Sequence, residues 1–345
     1  MSSTHKLPSN PHEWQALAKR NGLVGSTIHT ASLSSASTIE EDQYLLFRVL
    51  WKIHPIKQFD WKRFDLNRWE AKANEHLANY SSWKTYCDGL ARRTISESTF
   101  ALAHYFQLQA ADTWDETWAP NVAVTPIARR TRSKTAKLDT ESPLVSASPG
   151  PGEIQNLIFQ QTKDEQIVNT ALVNFLSALT LHAGLANHWT LHRKSFKAHF
   201  THAFFEARTD GYLEDTKPGG KVRALIEVKA VPRERKRKMI CMQEAAQMVA
   251  WILCHPDRSG CLNFPGRRIH VFQDRHQIYI VIAEYGDNYI DYLEKGYSSD
   301  AYMVMHEFGP WDSNDLKHMK DISVILVAFV LRAVSDCKAE ERMPK

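Results

Sequence analysis

The strand-like run 223–231 (Arg-Ala-Leu-Ile-Glu-Val-Lys-Ala-Val) carries an acid and a lysine two residues apart in an otherwise apolar stretch. Side chains alternate faces along a strand, so Glu227 and Lys229 point one way while Ile226, Val228 and Ala230 point the other. Burying a carboxylate and an ammonium there costs desolvation free energy, and groups that bear such a cost cluster at functional sites. Upstream, the run Phe204-Phe205-Glu206-Ala207-Arg208-Thr209 ends in Asp210 and is followed by Gly211. A Gly-rich hairpin at 217–220 then returns the chain to the Glu227 strand. Antiparallel pairing of the two runs sets Asp210 beside Glu227. Two neighbouring carboxylates offer hard oxygen ligands to a divalent cation, and a lysine beside them can orient a water or offset charge developing on a phosphate. The competing reading is a surface salt bridge between Glu227 and Lys229, with Asp210 a turn residue.

The elements that must position these groups are legible around them. Residues 164–182 have acids at the start and Ile167, Ala171, Leu172, Phe175 and Leu179 on one face, which predicts an amphipathic helix. Strands are expected near 188–194 and 197–207, a second amphipathic helix over 239–254, a hairpin of 269–273 with 277–283, and a last apolar helix over about 315–335. Between the Lys229 strand and the 239–254 helix lies the basic run Arg233-Glu234-Arg235-Lys236-Arg237-Lys238. At the mouth of an acidic site it is expected to track a phosphodiester backbone, the alternative being a solvated charged loop. His199 and His202 lie near the site in sequence, and a structural role is expected for both.

The N-terminal half reads differently. Residues 1–36 are rich in Ser, Thr, Asn and Pro and predict a mobile, disordered tail. Residues 37–118 predict an all-helical N-terminal unit: Thr38 as an N-cap, then Tyr44, Leu45, Phe47, Val49, Leu50 and Trp51 crowding a buried helix. Further helices are expected at about 65–80 and 96–110. Residues 119–152 predict a Pro-rich linker whose basic run, with Arg129 and Arg130, is either a nucleic-acid segment or a solvated tether. Residues 153–338 form the second domain.

Composition bounds the function class. Apolar residues are 43% and charged residues 24%, the balance of a globular protein, with a net charge of +4. Mean hydropathy is −0.41, and no apolar run of membrane-spanning length occurs, so no membrane partner is expected. The N-terminal residues lack a signal-peptide core, which predicts a cytoplasmic or nuclear protein. The five cysteines are scattered, and their spacing fits no standard zinc site.

A helix with an early acid, a strand ending in Asp, a hairpin, a strand with Glu-x-Lys and a helix with Gln together resemble the PD-(D/E)xK nuclease-like superfamily over about 160–285. The residues that carry the resemblance are Glu165, Asp210, Glu227, Lys229, and Gln243 or Gln247; Thr209-Asp210 stands where that family has Pro-Asp. It implies an α+β fold with a mixed central sheet flanked by helices. It also implies a Mg2+-dependent nuclease with Asp210 and Glu227 as metal ligands, Lys229 as the catalytic cation and Glu165 as a further acid.

The whole chain, with its Met305-His-Glu-Phe-Gly-Pro-Trp311 segment, also resembles fungal arginine-containing cyclodipeptide synthases of secondary metabolism, although their DDxxE motif has no literal copy here. That resemblance implies condensation of arginine and a second amino acid, from arginyl-tRNA and another aminoacyl-tRNA, into a cyclo-Arg-Xaa diketopiperazine without a cofactor. It is the leading expectation from the sequence, with the nuclease second. A catalytically inactive nuclear nucleic-acid-binding protein is the third. Asp210 and Glu227 would then serve the arginine guanidinium rather than a metal.

Overall fold

Apolar strands from both halves of the chain combine in one mixed sheet. The computed structural model describes residues 6–111, 165–217, 219–256, 266–297 and 301–342. Nine strands are assigned among them: β1 Val49–His54, β2 Asn187–Thr190, β3 Ser195–His199, β4 Phe204–Arg208, β5 Gly211–Asp215, β6 Val222–Lys229, β7 Arg267–Asp274, β8 Gln277–Glu284 and β9 Met303–Asp312. Seven form the central sheet in the order β1-β9-β8-β7-β6-β5-β2, and β3 with β4 makes a separate two-stranded sheet. The pairs β6–β7 and β1–β9 are parallel; the other pairs of the central sheet are antiparallel.

Parallel neighbours need a crossover, and between β6 and β7 it includes the long helix α7, Arg233–Cys254 in chain order. The preceding helices are α1 Pro11–Arg20, α2 Glu41–Leu46, α3 Asn67–Asn79, α4 Ser81–Arg92, α5 Ala101–Ala111 and α6 Glu165–Thr180; α8 Asp287–Lys295 and α9 Leu316–Glu341 follow.

Strand alternation divides the core into two layers. Ala224, Ile226 and Val228 of β6 join Ile269 and Val271 of β7 in a cluster with α3 to α6 and α9. Leu225, Phe272, Tyr279 and Val281 belong to the opposite cluster, with α7, α8, the small sheet and the N-terminal elements. The 16 residues of α6 place Val168, Leu172, Phe175, Leu176 and Leu179 in the first cluster, at helical spacing. Its first turn carries Glu165, where a carboxylate complements the helix dipole.

The N-terminal half departs from the sequence expectation in two ways. Residues 6–36 are not a loose tail: they contain α1, capped by the Asn10 side chain, and they bury Leu7, Ala18 and Ile28. The predicted helix through Trp51 stops at Leu46. Arg48 has φ +52, which breaks the helix, and Val49–His54 become β1. β9 offers the edge that β1 pairs with, and no local pattern around residue 50 could announce it. The segment 37–111 is therefore partly strand and packs into the shared core rather than forming an all-helical unit. The 119–152 linker, with Arg129 and Arg130, lies outside the described residues.

Candidate acid-lysine centre

Register brings the two acids together. Gly211 of β5 pairs with Ile226 of β6, so one step along, Asp210 stands beside Glu227. The Asp210 backbone N–H donates to the Ile226 carbonyl at 3.0 Å, and the Val228 N–H donates to Asp210 Oδ2 at 3.2 Å. Gly211 permits this approach: a Cβ there would meet the Thr190 carbonyl of β2 at 2.5 Å. Asn169 of α6 steadies the same corner, its Nδ2 donating to the Asp210 carbonyl at 3.2 Å.

Glu227 lies on the α7 face of the sheet and is 3% exposed. Lys229 Nζ donates to its Oε1 at 2.6 Å, and so does Gln243 Nε2 at 2.7 Å. Gln247 Nε2 donates to Oε2 at 2.7 Å and to the Arg208 carbonyl at 2.8 Å. Gln243 and Gln247 stand one helical turn apart on α7, which explains why both reach one carboxylate. Lys229 Nζ also lies 3.6 Å from Glu165 Oε1 at the start of α6. All six residues expected at the centre from the sequence thus converge.

Burial pushes the Glu227 carboxyl up to about 7; the Lys229 ammonium pulls it back, and the Asp210 carboxylate adds to the rise. Burial likewise raises Glu165, opposed by Lys229 and reinforced by Asp210. Burial works against the Lys229 ammonium, but Glu227 and Glu165 outweigh it and hold its pKa above the usual lysine value. The centre therefore keeps a firmly charged lysine beside a carboxyl poised near neutrality.

Two residues join the centre without a signal in the sequence. Arg193, exposed in the β2–β3 connection, places Nη2 3.3 Å from Asp210 Oδ1, and Asn169 reaches across from α6. Nothing in their local pattern distinguishes them from solvated polar residues. His199 is exposed on β3 and stacks on Phe204, with ring centroids 5.8 Å apart, and His202 is exposed in the loop that follows.

The basic run divides. Arg233 was expected to face a phosphate backbone, but it is fully buried and bound to Glu244, to Asp274 at 2.6 Å and to Glu307 at 3.0 Å. A guanidinium held by three buried carboxylates has no access to an external anion. Arg237 gives Nη1 to Glu307 at 2.6 Å, and Lys238 pairs with Glu41 at 2.7 Å. Lys236 is exposed and lines the centre's pocket of about 250 Å3 together with Glu165, Lys229 and Gln243. Arg235 is half-buried.

The donor set for a metal is all oxygen, from Asp210 and Glu227. Among the described residues no group of three or more His, Cys, Asp or Glu stands arranged to hold a metal ion. Mg2+ characteristically takes one or two carboxylates and completes its shell with water and substrate phosphate, so the two acids fit it in kind. Glu227 Oε1 accepts two donors and Oε2 one, so Oε2 is the less occupied oxygen for a cation.

No protein-family model matches the chain, and no curated protein matches it significantly. No helix of the described residues is long and apolar enough to cross a membrane.

Proposed function

We propose that the chain is a metal-dependent phosphodiesterase acting on nucleic acid, built on a PD-(D/E)xK-type core formed by α6, β5, β6, β7 and α7. One observation carries this reading: Asp210, in the bend before β5, accepts the Val228 N–H next to Glu227, with Lys229 2.6 Å from Glu227 and two glutamines of α7 donating to the same carboxylate. Asp210 and Glu227 would hold Mg2+, which supplies charge neutralisation at a phosphoryl group and acidifies a bound water. Lys229 is placed to orient the attacking water and to offset negative charge on the phosphate as the P–O bond to water forms and the P–O bond to one sugar oxygen breaks, that oxygen leaving as a hydroxyl once protonated by solvent. Gln243 and Gln247 fix the Glu227 carboxylate, so its oxygens do not have to be ordered when substrate arrives. Glu165 balances Lys229 at the pocket mouth. The test is incubation of purified protein with labelled DNA and RNA oligonucleotides with and without Mg2+, with Asp210→Asn as the control.

A second reading rests on a different observation. Both acids already hold cationic side chains, Lys229 on Glu227 and Arg193 on Asp210. That is also the chemistry of a pocket for an arginine guanidinium, as the arginine-containing cyclodipeptide synthase expected from the sequence requires. Expression in a clean host and profiling for cyclo-Arg-Xaa diketopiperazines separates the two, since only the synthase yields such a product. The nuclease takes precedence because Lys229 and Glu165 line one pocket and Lys229 is bonded to Glu227 just behind it, an arrangement that suits hydrolysis of a phosphodiester.

A further inference from the structure

The first turns of α7 separate two cavities. Lys236, Met239, Ile240 and Gln243 border the acid-lysine pocket. Arg237, Lys238 and Cys241 border a larger cleft of about 750 Å3, closed by the 6–10 segment and the edge strand β1. At 3.6 residues per turn the two sets lie on roughly opposite faces of the helix.

The larger cleft is basic. Lys6, Lys52, Arg237 and Lys238 converge on it from three separate stretches of chain, and no acid lines it. Arg237 and Lys238 are partly offset by Glu307 and Glu41. Lys6 and Lys52 make no ion pair among the described residues. Leu7 and Ile53 supply an apolar wall, and Ser9 and Asn10 add polar groups. Trp51 is only 4% exposed, its ring held by Nε1–H donation to Glu307 Oε2 at 2.8 Å, and the His54 ring lies towards the other face of β1, stacked on Phe308. Ile53 beside them is 55% exposed.

Lys6 lies near enough to Glu13 to favour its carboxylate, yet the four cations beside an apolar wall still suit a ligand with phosphates on one side and bases on the other, which is the chemistry of a single nucleic-acid strand. The volume lies within the roughly 300–1,000 Å3 of sites for compact ligands, which suits a short stretch of strand. We propose that this cleft binds single-stranded nucleic acid and holds the strand whose scissile phosphate lies at the acid-lysine centre across α7. Its role in feeding that centre rests on the nuclease reading, whereas the binding does not.

The experiment titrates the full chain, in EDTA so that no cutting occurs, into a fluorescein-labelled 15-nucleotide single strand across a range of salt. It compares wild type with Lys6→Ala/Lys52→Ala, whose replaced side chains support no buried contact; a circular dichroism melt confirms the fold. Losing two phosphate contacts lowers the magnitude of the log K against log salt slope by about 1.4, at about 0.7 per phosphate on a single strand, and weakens binding at moderate salt about tenfold. A duplex of equal length competes poorly. Unchanged slope and affinity in the double variant, or equal competition by duplex, overturns the proposal. A Mg2+ cutting assay on the same proteins keeps the two readings apart. Salt-sensitive binding without cutting sinks the nuclease while the cleft stands; cutting with unaltered binding sinks the cleft and spares the nuclease.

Discussion

The carboxylate of Asp210 accepts the backbone N–H of Val228 at 3.2 Å, so the acid in the bend just before β5 is tied to the strand that carries Glu227 and Lys229. The bond fixes Asp210 one step beyond the first β5–β6 pair, Gly211 with Ile226.

The pH dependence of activity follows from Glu227. Its carboxyl, raised by burial to about 7, must ionise before it can ligate a cation. Mg2+ competes with the proton for this carboxyl, so cleavage at subsaturating Mg2+ is expected to rise about tenfold per pH unit below this value and to level off above it. Lys229 favours the ionised form, so Lys229→Ala moves the midpoint upward besides lowering the plateau by about 100-fold or more. A pH-rate profile checks both; a midpoint that stays in place in Lys229→Ala contradicts the assignment.

Stability carries the same signature with its own sign. The folded value of about 7 lies above the ordinary 4.5, so between these pH values the unfolded chain loses its proton while the folded chain keeps it. This group's contribution is therefore present below pH 4.5 and is lost as pH rises through 7, by about 3 kcal/mol in all. Urea titrations of wild type and Glu227→Gln across that window should differ in slope, the variant lacking the decline. Parallel curves would refute it.

Arg233 is expected to matter for folding. Removing it leaves the carboxylates of Glu244, Asp274 and Glu307 buried without their shared guanidinium. Arg233→Met should lose about 3–5 kcal/mol in denaturant unfolding, whereas Lys236→Ala, at an exposed position, should stay within about 0.5 kcal/mol of wild type.

The N-terminal segment gives a fourth test. Leu7 and Ile28 are buried, the Trp51 N–H donates to the Pro8 carbonyl at 2.8 Å, and the Trp14 indole N–H donates to the Leu45 carbonyl at 2.9 Å. Deleting residues 1–36 should cost about 3–6 kcal/mol from the two apolar side chains alone. A truncated chain that melts like the full one would show the segment to be dispensable.

The centre was legible because its signals are local. Glu227 and Lys229 share a strand face by alternation, and Gln243 and Gln247 share a helix face by spacing; Asp210 reaches Glu227 through β5, a short strand that the run 204–209 did not announce. What escaped detection depends on distant pairings. β1 becomes a strand because β9, some 250 residues away, presents an edge to it. Arg233 read as a phosphate-facing cation among Arg235, Lys236, Arg237 and Lys238, but the sheet brings Asp274 and Glu307 against it. Lys6 and Lys52 border one cleft only through the fold.

The most direct measurement is cleavage of a labelled single-stranded oligonucleotide by wild type and by Asp210→Asn, in Mg2+ and in EDTA. Asparagine can still accept the Val228 N–H, so the fold is expected to persist while the metal loses a charged ligand. Cutting that needs Mg2+ and falls at least about 100-fold in the variant, with an unchanged melting curve, is the predicted result. Folded wild-type protein that cuts neither DNA nor RNA, or equal cutting by Asp210→Asn, would contradict it.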